Sequence, residues 1–564
     1  MKKLIVLASV VCVFAASVGA AQETVGWRTD GTGHYPDANP PTVWHRANDK
    51  EKAEGKGEDK NIVWASKMPA WSNSSPAVAG DRVFVGSDKT DLVCVNRTTG
   101  EILWTATNAY VDGLEGQELE DAKAMIAAAK ELRAKIKPEQ DKLNNVRNRL
   151  KNIKSCKKKL ADVEKETADL KTEESRAARL AEIMKDIEAV VKALEKKPND
   201  GNQKKRLEQI TDQIKNLANK EWRTKRLEEL VKQLAESQKK LAEAKPEEEE
   251  QLKNEEEQLK QVVDPLNKEL SGKKKYDLPG VNGLAGYSTC TPVTDGKNVW
   301  TLLSNGMAAC YDLDGNRKWI RLIQKPGGGN GHTASPFSAG GNLIVQIQNT
   351  TRALNKDTGE EVWATNKASA NHGTSVVTTI GDVDVIITSR GNVIRADNGT
   401  VLKNSIGGLG CNAPIVHDGV AYFIQENGKA TKLPEEIKEE GMEFKELWKL
   451  DKIEGGGCYA SPAYHDGLIY SVSASGHLSV IDAKEGSIVY DKKLDAGGTV
   501  FSSVVCAGKY VFAFGDKGKS VVFEAGREYK EVARNQLEAL RSCPILADNR
   551  LYVRGLNHLY CVGE

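Results

Sequence analysis

The sequence predicts an all-β, eight-bladed propeller closed by an N-terminal strand, with an α-helical antiparallel coiled-coil hairpin inserted into it. A unit of about 40 residues with four short strand patterns recurs along the chain, which is typical of propellers. The 564 residues include 50 glycines but only 9 phenylalanines, as expected for a chain with many tight turns. One charged, glycine-poor segment interrupts the repeats and predicts the helical insertion.

The charge balance argues against a general binder of nucleic acid or anionic lipid. The chain carries 80 Lys and Arg against 79 Asp and Glu, a formal net charge of +1 at pH 7. No whole-chain field therefore attracts polyanions. The glycine content and a negative mean hydropathy exclude a polytopic membrane protein. A chain of 564 residues is longer than one hydrophobic core usually serves, so a large domain with a separate region is expected.

The first 21 residues have the pattern of an export signal. Lys2 and Lys3 precede an apolar run at residues 4–18, and small residues stand before Gln22. We expect cleavage after residue 21 and a periplasmic or secreted mature protein; a retained N-terminal anchor helix is the alternative. Cys12 lies in the middle of the apolar run, which argues against a lipid anchor. No later stretch is long and apolar enough to span a bilayer.

Each repeat begins at a Ser-Pro pair or a close variant. It reads as a buried strand, a turn of the Asp-Gly type, a second strand, a third strand of small and β-branched residues, and a fourth strand that ends in Trp. Eight such starts are present, at Ser75, Thr291, Ser335, Ser375, Ala413, Ser461, Ser503 and Cys543. The spacing therefore predicts eight blades.

The eighth repeat stops at Glu564 after its third strand. Residues 61–64 supply the missing outer strand, and Trp64 takes the position that Trp104 has in the first repeat. Pairing the two chain ends removes the open sheet edges and needs no disulfide. The predicted domains are a signal at 1–21, an opening segment with the closing strand and first blade at 22–112, and blades two to eight at 276–564.

Residues 113–275 form the predicted helical insertion. Only four of the 50 glycines lie there, and charged residues are about twice as frequent as elsewhere. Apolar residues recur every seven positions, for example at Val146, Ile153 and Leu160, which is typical of a coiled-coil seam. A turn is predicted at residues 197–202, so that two arms of roughly 70 to 80 residues pair antiparallel. We expect this hairpin to serve as a docking arm or a spacer.

Three residues of the insertion carry further expectations. Pro138 and Pro265 lie at similar distances from the turn, which predicts that both arms break at the same level. Trp222 is the only tryptophan of the insertion and lies off the seam. It either contacts a partner or fills a shift in the heptad phase, and both interpretations stay open.

The fourth-strand pattern resembles the tryptophan-docking motif of the PQQ-binding-like β-propeller family, which includes the quinoprotein dehydrogenases and the outer-membrane assembly lipoprotein BamB. Residues 353–363, Ala-Leu-Asn-Lys-Asp-Thr-Gly-Glu-Glu-Val-Trp, match the motif fully, and residues 94–104 match it with Cys for Ala. The opening at residues 26–44 is similar to exported members from planctomycete-like bacteria. The resemblance implies that five indoles dock between neighbouring blades: Trp64, Trp104, Trp319, Trp363 and Trp448.

The same resemblance bears on activity. The dehydrogenases of this family need a vicinal disulfide over the quinone, a tryptophan floor, and carboxylate and amide ligands for calcium. No two cysteines are adjacent in this chain, and no such ligand set can be placed. PQQ is therefore not expected, and no cofactor is predicted. We expect a non-catalytic exported scaffold that binds protein or cell-envelope polymer partners. The alternative is a PQQ-dependent or metal-dependent oxidoreductase acting at the channel mouth.

Four residues shortly before repeat starts form a candidate metal site: His332, His372, Cys411 and Cys458. Imidazole and thiolate groups suit zinc or copper. Two alternatives stay open, namely a disulfide between the two cysteines and a purely lining role for all four residues. Of the ten cysteines one lies in the signal, and the remaining nine cannot pair completely.

Overall fold

The structure is a computed structural model that describes residues 26–47, 58–198, 200–327, 329, 331–368, 370, 372–439 and 441–564. The predicted signal at 1–21 lies outside these residues. By its internal contacts the chain divides into two compact units. One comprises the residues up to Leu119 together with Asp277–Glu564, and the other comprises Glu120–Tyr276.

The described part of the first unit contains 33 short strands. Those up to the third repeat are β1 (His34–Tyr35), β2 (Ile62–Lys67), β3 (Ala77–Ala79), β4 (Arg82–Ser87), β5 (Asp91–Asn96), β6 (Ile102–Thr107), β7 (Val293–Thr294), β8 (Asn298–Leu302), β9 (Met307–Asp312), β10 (Arg317–Leu322), β11 (Phe337–Ala339), β12 (Asn342–Ile347), β13 (Thr350–Leu354) and β14 (Glu361–Thr365). Those of the fourth to sixth repeats are β15 (Val376–Ile380), β16 (Val383–Ile387), β17 (Val393–Arg395), β18 (Val401–Lys403), β19 (Ile415–His417), β20 (Val420–Ile424), β21 (Gly428–Lys432), β22 (Lys445–Leu450), β23 (Ala463–His465), β24 (Leu468–Val472), β25 (His477–Asp482) and β26 (Ile488–Lys493). The last two repeats contribute β27 (Val505–Ala507), β28 (Tyr510–Phe514), β29 (Lys519–Glu524), β30 (Glu531–Gln536), β31 (Ile545–Ala547), β32 (Arg550–Arg554) and β33 (His558–Val562).

These strands form meander sheets, numbered here in chain order. Sheets 1 to 6 are β3–β6, β7–β10, β11–β14, β15–β18, β19–β22 and β23–β26; sheet 7 is β27–β30 with β1 added, and sheet 8 is β31–β33 with β2 added. β2 pairs antiparallel with β33, with Trp64 opposite Cys561, so the two ends of the chain share one sheet as predicted. Repeated four-stranded meanders of this kind are β-propeller blades, and this part of the predicted fold is confirmed.

Every sheet shares a buried core with the sheet before it and the sheet after it. Each of eight buried clusters joins two sheets that follow one another, and one of them joins sheet 8 to sheet 1. In that cluster Tyr552 of β32 and Val83 of β4 are both fully buried. Small and β-branched residues dominate these cores because the sheets approach closely.

The five predicted docking indoles lie across these cores. Each indole N–H donates a hydrogen bond of 2.8–3.1 Å to a carbonyl of the next sheet, from Trp64 to Arg97, Trp104 to Leu313, Trp319 to Lys356, Trp363 to Ala396 and Trp448 to Ala483. The indole face lies against the glycine of the next Thr-Gly-Glu turn or its equivalent. A Cβ on Gly359, whose φ is +70°, would stand 2.6 Å from the Trp319 ring. Only glycine satisfies both the conformation and the space at this position.

The serine of the Ser-Pro start links neighbouring sheets. A hydroxyl or thiol at or next to the repeat start accepts a hydrogen bond from the backbone N–H of the repeat start in an adjacent repeat. The series runs from Thr291 N to Ser335 Oγ, Ser335 N to Thr374 Oγ1, Ala413 N to Ser461 Oγ, Ser461 N to Ser503 Oγ, Ser503 N to Cys543 Sγ and Cys543 N to Ser75 Oγ, at 2.8–3.3 Å. These bonds satisfy buried backbone donors beside the first strands, which gives the repeated serine its structural role.

The opening segment, residues 26–35, lies among the first strands of the sheets. The Arg28 guanidinium donates to the carbonyls of Pro462 and Val504, at 3.0 and 2.6 Å, in the segments that lead into β23 and β27. A Cβ on Gly31 would contact Val376 of β15 at 3.7 Å. β1 then pairs parallel with β27. The centre enclosed by these strands is therefore filled by the chain's own opening segment, and burial lowers the pKa of Arg28.

The second unit is helical. Its helices are α1 (Gly116–Lys171), α2 (Glu173–Lys196), α3 (Gly201–Ala218), α4 (Lys220–Glu243) and α5 (Glu249–Ser271), with one-turn 3₁₀ helices at Tyr110–Gly113 and Pro246–Glu248. The predicted helical insertion is thus confirmed. No helix in the described ranges is both long and apolar enough to cross a membrane.

The predicted breaks at the two prolines are wrong. Pro138 lies inside α1 and Pro265 lies inside α5. A proline removes one backbone hydrogen bond, and the buried Ile136 and Val263 beside them hold both helices in their packed course. The helices are interrupted instead at residue 172, between α1 and α2, and at residue 219, between α3 and α4.

Apolar side chains of the two arms meet along the insertion. Leu143, Val146 and Ile153 of α1 share a buried cluster with Leu252, Leu259 and Val263 of α5. Nearer the turn, Ile183 of α2 packs with Ile210 of α3. Arg226 binds Glu166 through two hydrogen bonds of 2.7 and 2.9 Å. At the predicted turn, Asp200 caps α3.

Trp222 lies at the start of α4. Its backbone N–H donates to the side chain of Asn219, which caps that helix, at 3.0 Å. The indole is half-buried. Trp222 directly follows a helix break. Both interpretations therefore stay open: it fills a shift in the heptad phase, or it contacts a partner.

Candidate functional site

One cavity of about 330 Å³, called the mouth cavity below, lies where the segments before the eight first strands meet. Every sheet contributes at least one lining residue two or four positions before its first strand: Ser75, Thr291, Ser335, His372, Cys411, Tyr459, Phe501 and Cys543. Four sheets contribute a second one, namely Asn73, Thr289, Thr333 and Arg541. Trp27 of the opening segment also lines it. The repeat therefore brings residues that are far apart in sequence to one place.

Two stacked rings and an arginine form one side of the mouth cavity. The rings of Tyr459 and Phe501 are 5.0 Å apart between centroids and 16° from parallel. The Arg541 guanidinium carbon lies 5.9 Å from the centroid of the Phe501 ring. Tyr459 is 45% exposed, an unusual state for an aromatic residue in a folded chain. This side offers an apolar face next to a positive charge.

The carbonyl of Leu284 brings Arg541 and Asn73 together. It accepts a hydrogen bond of 3.4 Å from Arg541 Nη1 and one of 2.7 Å from Asn73 Nδ2. In the described part of the chain, the buried Arg541 Nε and the buried Asn73 Oδ1 have no hydrogen-bond partner. A buried donor and a buried acceptor without partners each cost free energy, so a ligand's polar groups that bonded to these two atoms would remove that cost.

A buried carboxylate holds the segment that carries Leu284. Asp88 Oδ1 accepts hydrogen bonds from the backbone N–H groups of Tyr287 and Ser288, at 2.8 and 3.0 Å, and from the Ser288 hydroxyl at 2.8 Å. Burial raises the pKa of Asp88. With three donors already bound, this carboxylate positions the segment and is not free to bind a cation.

The four residues of the predicted metal site do not share one environment. His372 and Cys411 line the mouth cavity, whereas His332 and Cys458 are buried and are not among its lining residues. His372 Nδ1 lies 2.9 Å from the Thr333 hydroxyl, and burial lowers the pKa of His372.

His332 and Cys458 have other contacts. Burial lowers the pKa of His332 to about 4, and its Nε2 has no partner in the described residues. Cys458 Sγ lies 3.6 Å from the Gln425 carbonyl and 3.8 Å from the Ser471 hydroxyl, and burial raises its pKa. The nine cysteines among the described residues are free thiols, so the disulfide alternative is not formed.

Within the described ranges, no group of three or more His, Cys, Asp and Glu side chains is placed to hold a metal ion. The zinc or copper site therefore stays a prediction. The pair that reaches the mouth cavity, His372 and Cys411, would have to recruit further ligands from elsewhere.

The sequence interpretation missed the aromatic side chains of the cavity. Tyr459 and Phe501 each stand two residues before a repeat start, the offset that also holds Cys411, so alignment of the repeats contains a signal for them. Arg541 stands at the same offset before Cys543. Asn73 stands at the same offset before Ser75, but its role depends on the Leu284 carbonyl, 211 residues away, which no repeat position marks.

The residues of the mouth cavity do not fit a calcium-bound quinone. Calcium takes oxygen ligands that usually include carboxylates. Among the described lining residues there is no Asp or Glu, and Arg541 is the one cationic side chain. The ligand set of the quinoprotein dehydrogenases is therefore not available in this cavity.

Comparison with known proteins gives one family. A family model described as outer membrane protein assembly factor BamB matches residues 42–129 and 348–563, which together are more than half of the chain. Among curated proteins, the outer membrane protein assembly factor BamB of Yersinia pestis is 25% identical over 241 residues, which cover 40% of this chain. The chain spans 59% of the length of that relative.

Solved structures with similar folds are more distant. BamB from Moraxella catarrhalis is 13% identical with a TM-score of 0.38, covering 47% of this chain and 79% of its own. The quinohemoprotein alcohol dehydrogenase ADHIIG from Pseudomonas putida HK5 is 11% identical with a TM-score of 0.35, covering 48% and 63%.

Proposed function

The chain belongs to the family described as outer membrane protein assembly factor BamB, and from this we propose that it is a non-catalytic, exported scaffold that binds a protein of the cell envelope. Membership of this family supports a scaffold or protein-binding role. A partner in outer membrane assembly is the corresponding proposal for this chain, as is a periplasmic location.

We propose that the eight sheets form one closed, eight-bladed ring. The pairing of β2 with β33 and the cores shared by successive sheets support this arrangement. The helical insertion is, in this proposal, an antiparallel coiled-coil hairpin. The contacts of α1 with α5 and of α2 with α3 support it. The hairpin serves as the docking arm.

The observation that carries the binding role is the composition of the mouth cavity. Tyr, Trp, Phe and Arg are the residues most enriched at protein interfaces, and this cavity presents Tyr459, Phe501, Trp27 and Arg541 together. An exposed aromatic stack has no structural reason to remain uncovered in a scaffold, and a partner that covers it gains apolar burial.

Cross-linked capture from the envelope of the source organism tests this role. The bait is the full chain, compared with a variant that carries Tyr459→Ala and Phe501→Ala. We expect the partner recovered with the wild type to fall at least about tenfold with this variant. The matched control carries Val362→Ala and Leu447→Ala, exposed apolar residues of outer strands, and should capture the partner normally. Equal capture by all three proteins would contradict the proposal.

Excision of residues 120–276 with a short Gly-Ser linker tests the arm. We expect the remaining protein to melt cooperatively and to lose partner capture, because the insertion has its own core and surface connections tolerate changes in length. Capture that is unchanged by the excision would rule out the docking arm while leaving the mouth cavity in place.

A dye-reduction assay tests the oxidoreductase alternative. Reduction of a quinone-dependent dye by the protein, after incubation with PQQ and calcium, would overturn the non-catalytic part of the proposal. We expect no reduction above that of heat-denatured protein, since the mouth cavity lacks carboxylate ligands in its described lining.

A further inference from the structure

We propose that the mouth cavity binds an amino-acid residue with an acylated nitrogen, a free carboxylate and an apolar side chain. Such a group occurs at the C-terminus of a polypeptide and in a free N-acyl amino acid. The inference rests on the proposed binding role of this cavity and names the chemistry that the cavity selects.

The carboxylate is assigned to Arg541. Its Nε is buried without a partner in the described residues, and its Nη1 makes only a long bond of 3.4 Å to the Leu284 carbonyl. A guanidinium binds a carboxylate through two parallel hydrogen bonds, which would satisfy the buried Nε. No acidic side chain in the described lining competes for Arg541. A neutral sugar would leave this charge without a counterion.

The acylated N–H is assigned to Asn73. The Nδ2 of Asn73 donates to the carbonyls of Leu284 and Ala285, at 2.7 and 2.9 Å. These two bonds fix the orientation of the amide, so Oδ1 is an acceptor, and it has no partner in the described residues. Because Asn73 and Arg541 bind the same carbonyl oxygen, one small ligand reaches both. The carboxylate and the acylated N–H are assigned to one amino-acid residue because in such a residue both are bonded to the same Cα.

The apolar side chain is assigned to the stacked rings. Tyr459 and Phe501 present an aromatic face beside Arg541, and Trp27 completes the apolar lining. The volume of about 330 Å³ is at the lower end of the range for small-molecule sites, so one terminal residue fills it. Stacking of an aromatic side chain on such a face adds to its burial energy.

Calorimetric titration of the full chain with matched probes tests the proposal. The probes are N-acetyl-L-phenylalanine, its C-terminal amide, its N-methyl derivative, and the peptide acetyl-Ala-Ala-Phe with a free C-terminus. We expect the acid to bind at least about tenfold more tightly than its amide, because a charge-assisted hydrogen bond is lost in the amide. The N-methyl derivative should also bind several-fold more weakly, since it offers no donor to Asn73 Oδ1.

Variants assign the effect to the named residues. Arg541→Gln should remove the preference for the acid, Arg541→Lys should retain part of it, and Tyr459→Ala should weaken the acid and the amide alike. Arg527→Gln is the matched control, because Arg527 is an exposed arginine paired with Asp482. Melting curves establish that each variant is folded.

The outcomes separate the two sources of the ligand. Similar affinities of N-acetyl-L-phenylalanine and the peptide support the general chemistry, and binding of the peptide alone assigns the ligand to a polypeptide C-terminus. Acid and amide binding within a factor of two, no binding of any probe at millimolar concentration, or an acid preference that survives Arg541→Gln overturns the proposal. Partner capture that still depends on Tyr459 and Phe501 in such a case leaves the scaffold function standing.

Discussion

At the scale of single residues, the repeated serine has a definable physical task. Ser461 accepts a hydrogen bond from Ala413 N at 2.9 Å, and its own N–H donates to Ser503 Oγ at 3.1 Å. All three residues are buried. The sulfur of Cys543 takes the same role in the last repeat, at 3.3 Å from Ser503 N. Either oxygen or sulfur therefore serves as the acceptor at this position, although the fifth repeat has Ala413 there.

Ser461→Ala should destabilise the protein by about 1–3 kcal/mol, because the buried Ala413 N–H loses its acceptor. Ser461→Cys should recover part of that loss, since a thiol already serves at the equivalent position. The measurement is the free energy of unfolding in urea. Ser405→Ala, at an exposed hydroxyl, is the control and should change little. A loss in Ser461→Ala no larger than in this control would show that the hydroxyl series adds no stability.

Burial of His332 makes the free energy of unfolding depend on pH. Burial lowers the pKa of His332 from the ordinary histidine value of 6.5 to about 4. Between these values the unfolded chain binds a proton that the folded chain does not. The stability that the neutral ring gives to the fold is therefore complete above pH 6.5 and is lost as the pH falls. The loss of unfolding free energy reaches about 3 kcal/mol near pH 4.

Replacement of His332 by Leu should make stability less sensitive to acid. We expect the wild type to lose more unfolding free energy between pH 7 and pH 5 than His332→Leu does, by about 2 kcal/mol. The comparison uses urea titrations at both pH values. Equal losses of unfolding free energy between pH 7 and pH 5 in the wild type and His332→Leu would mean that His332 does not titrate as its burial requires.

At the scale of elements, five of the eight sheets are joined to the next sheet by a tryptophan that lies on a glycine. The indole of Trp319 donates to the Lys356 carbonyl at 2.8 Å and covers Gly359 of the following sheet. The turn glycine is thus part of the contact between two sheets as well as of the turn. This explains why the Thr-Gly-Glu turn and the tryptophan belong to one motif although they act on different neighbours.

Two glycine variants separate the turn from the docking contact. Gly341 has a φ of +78° and nothing within 4 Å of an added Cβ, whereas Gly359 has a φ of +70° and the Trp319 ring at 2.6 Å. Gly341→Ala should cost about 1–2 kcal/mol for the left-handed conformation. Gly359→Ala should cost about 1–3 kcal/mol more, because the indole must move. Thermal and urea unfolding measure both, and equal costs would contradict the docking contact.

The helices of the insertion are held together in a different way from the blades. Its arms depend on apolar contacts between helices that are distant in sequence, such as Ile153 with Leu252. These contacts keep the helices continuous through Pro138 and Pro265. Side-chain caps at Thr172 and Asn219 mark the interruptions instead. A proline pattern alone therefore placed the breaks wrongly.

At the scale of the whole molecule, the N-terminal segment takes part in two structures. Residues 26–35 lie among the first strands, where Arg28 binds carbonyls more than 400 positions away. β2 then completes sheet 8. Between them, Trp44 packs against Phe512 and Phe514 in a core shared by sheets 7 and 8.

Deletion of residues 22–67 should abolish cooperative unfolding, because sheet 8 loses its outer strand and the first strands lose the segment they surround. Near-ultraviolet circular dichroism and calorimetry measure the effect. Deletion of residues 22–25 alone is the control and should melt like the full chain. A cooperative transition at the wild-type temperature in the longer deletion would contradict the closing role of β2.

The sequence by itself determined the elements and their order. Four strands per repeat, the docking tryptophans, the pairing of the chain ends and the helical insertion all follow from local periodicity and turn chemistry, because the same short pattern returns at each repeat. Trp64 is an example, since its position in the repeat was enough to place β2 beside β33. The family resemblance followed from the same residues.

Only the tertiary structure decided which residues lie among the first strands of the sheets and which line the mouth cavity. The opening segment has no periodicity, and its partners are backbone carbonyls such as those of Pro462 and Val504, which carry no mark in the sequence. Of the candidate metal residues, His332, His372 and Cys458 lie three positions before a repeat start and Cys411 lies two before, yet only His372 and Cys411 line the mouth cavity. The position of Arg541 beside Asn73 depends on one carbonyl, that of Leu284, held in place by the Asp88 carboxylate. Contacts between residues hundreds of positions apart are set by the packing of the sheets, and no local pattern encodes them.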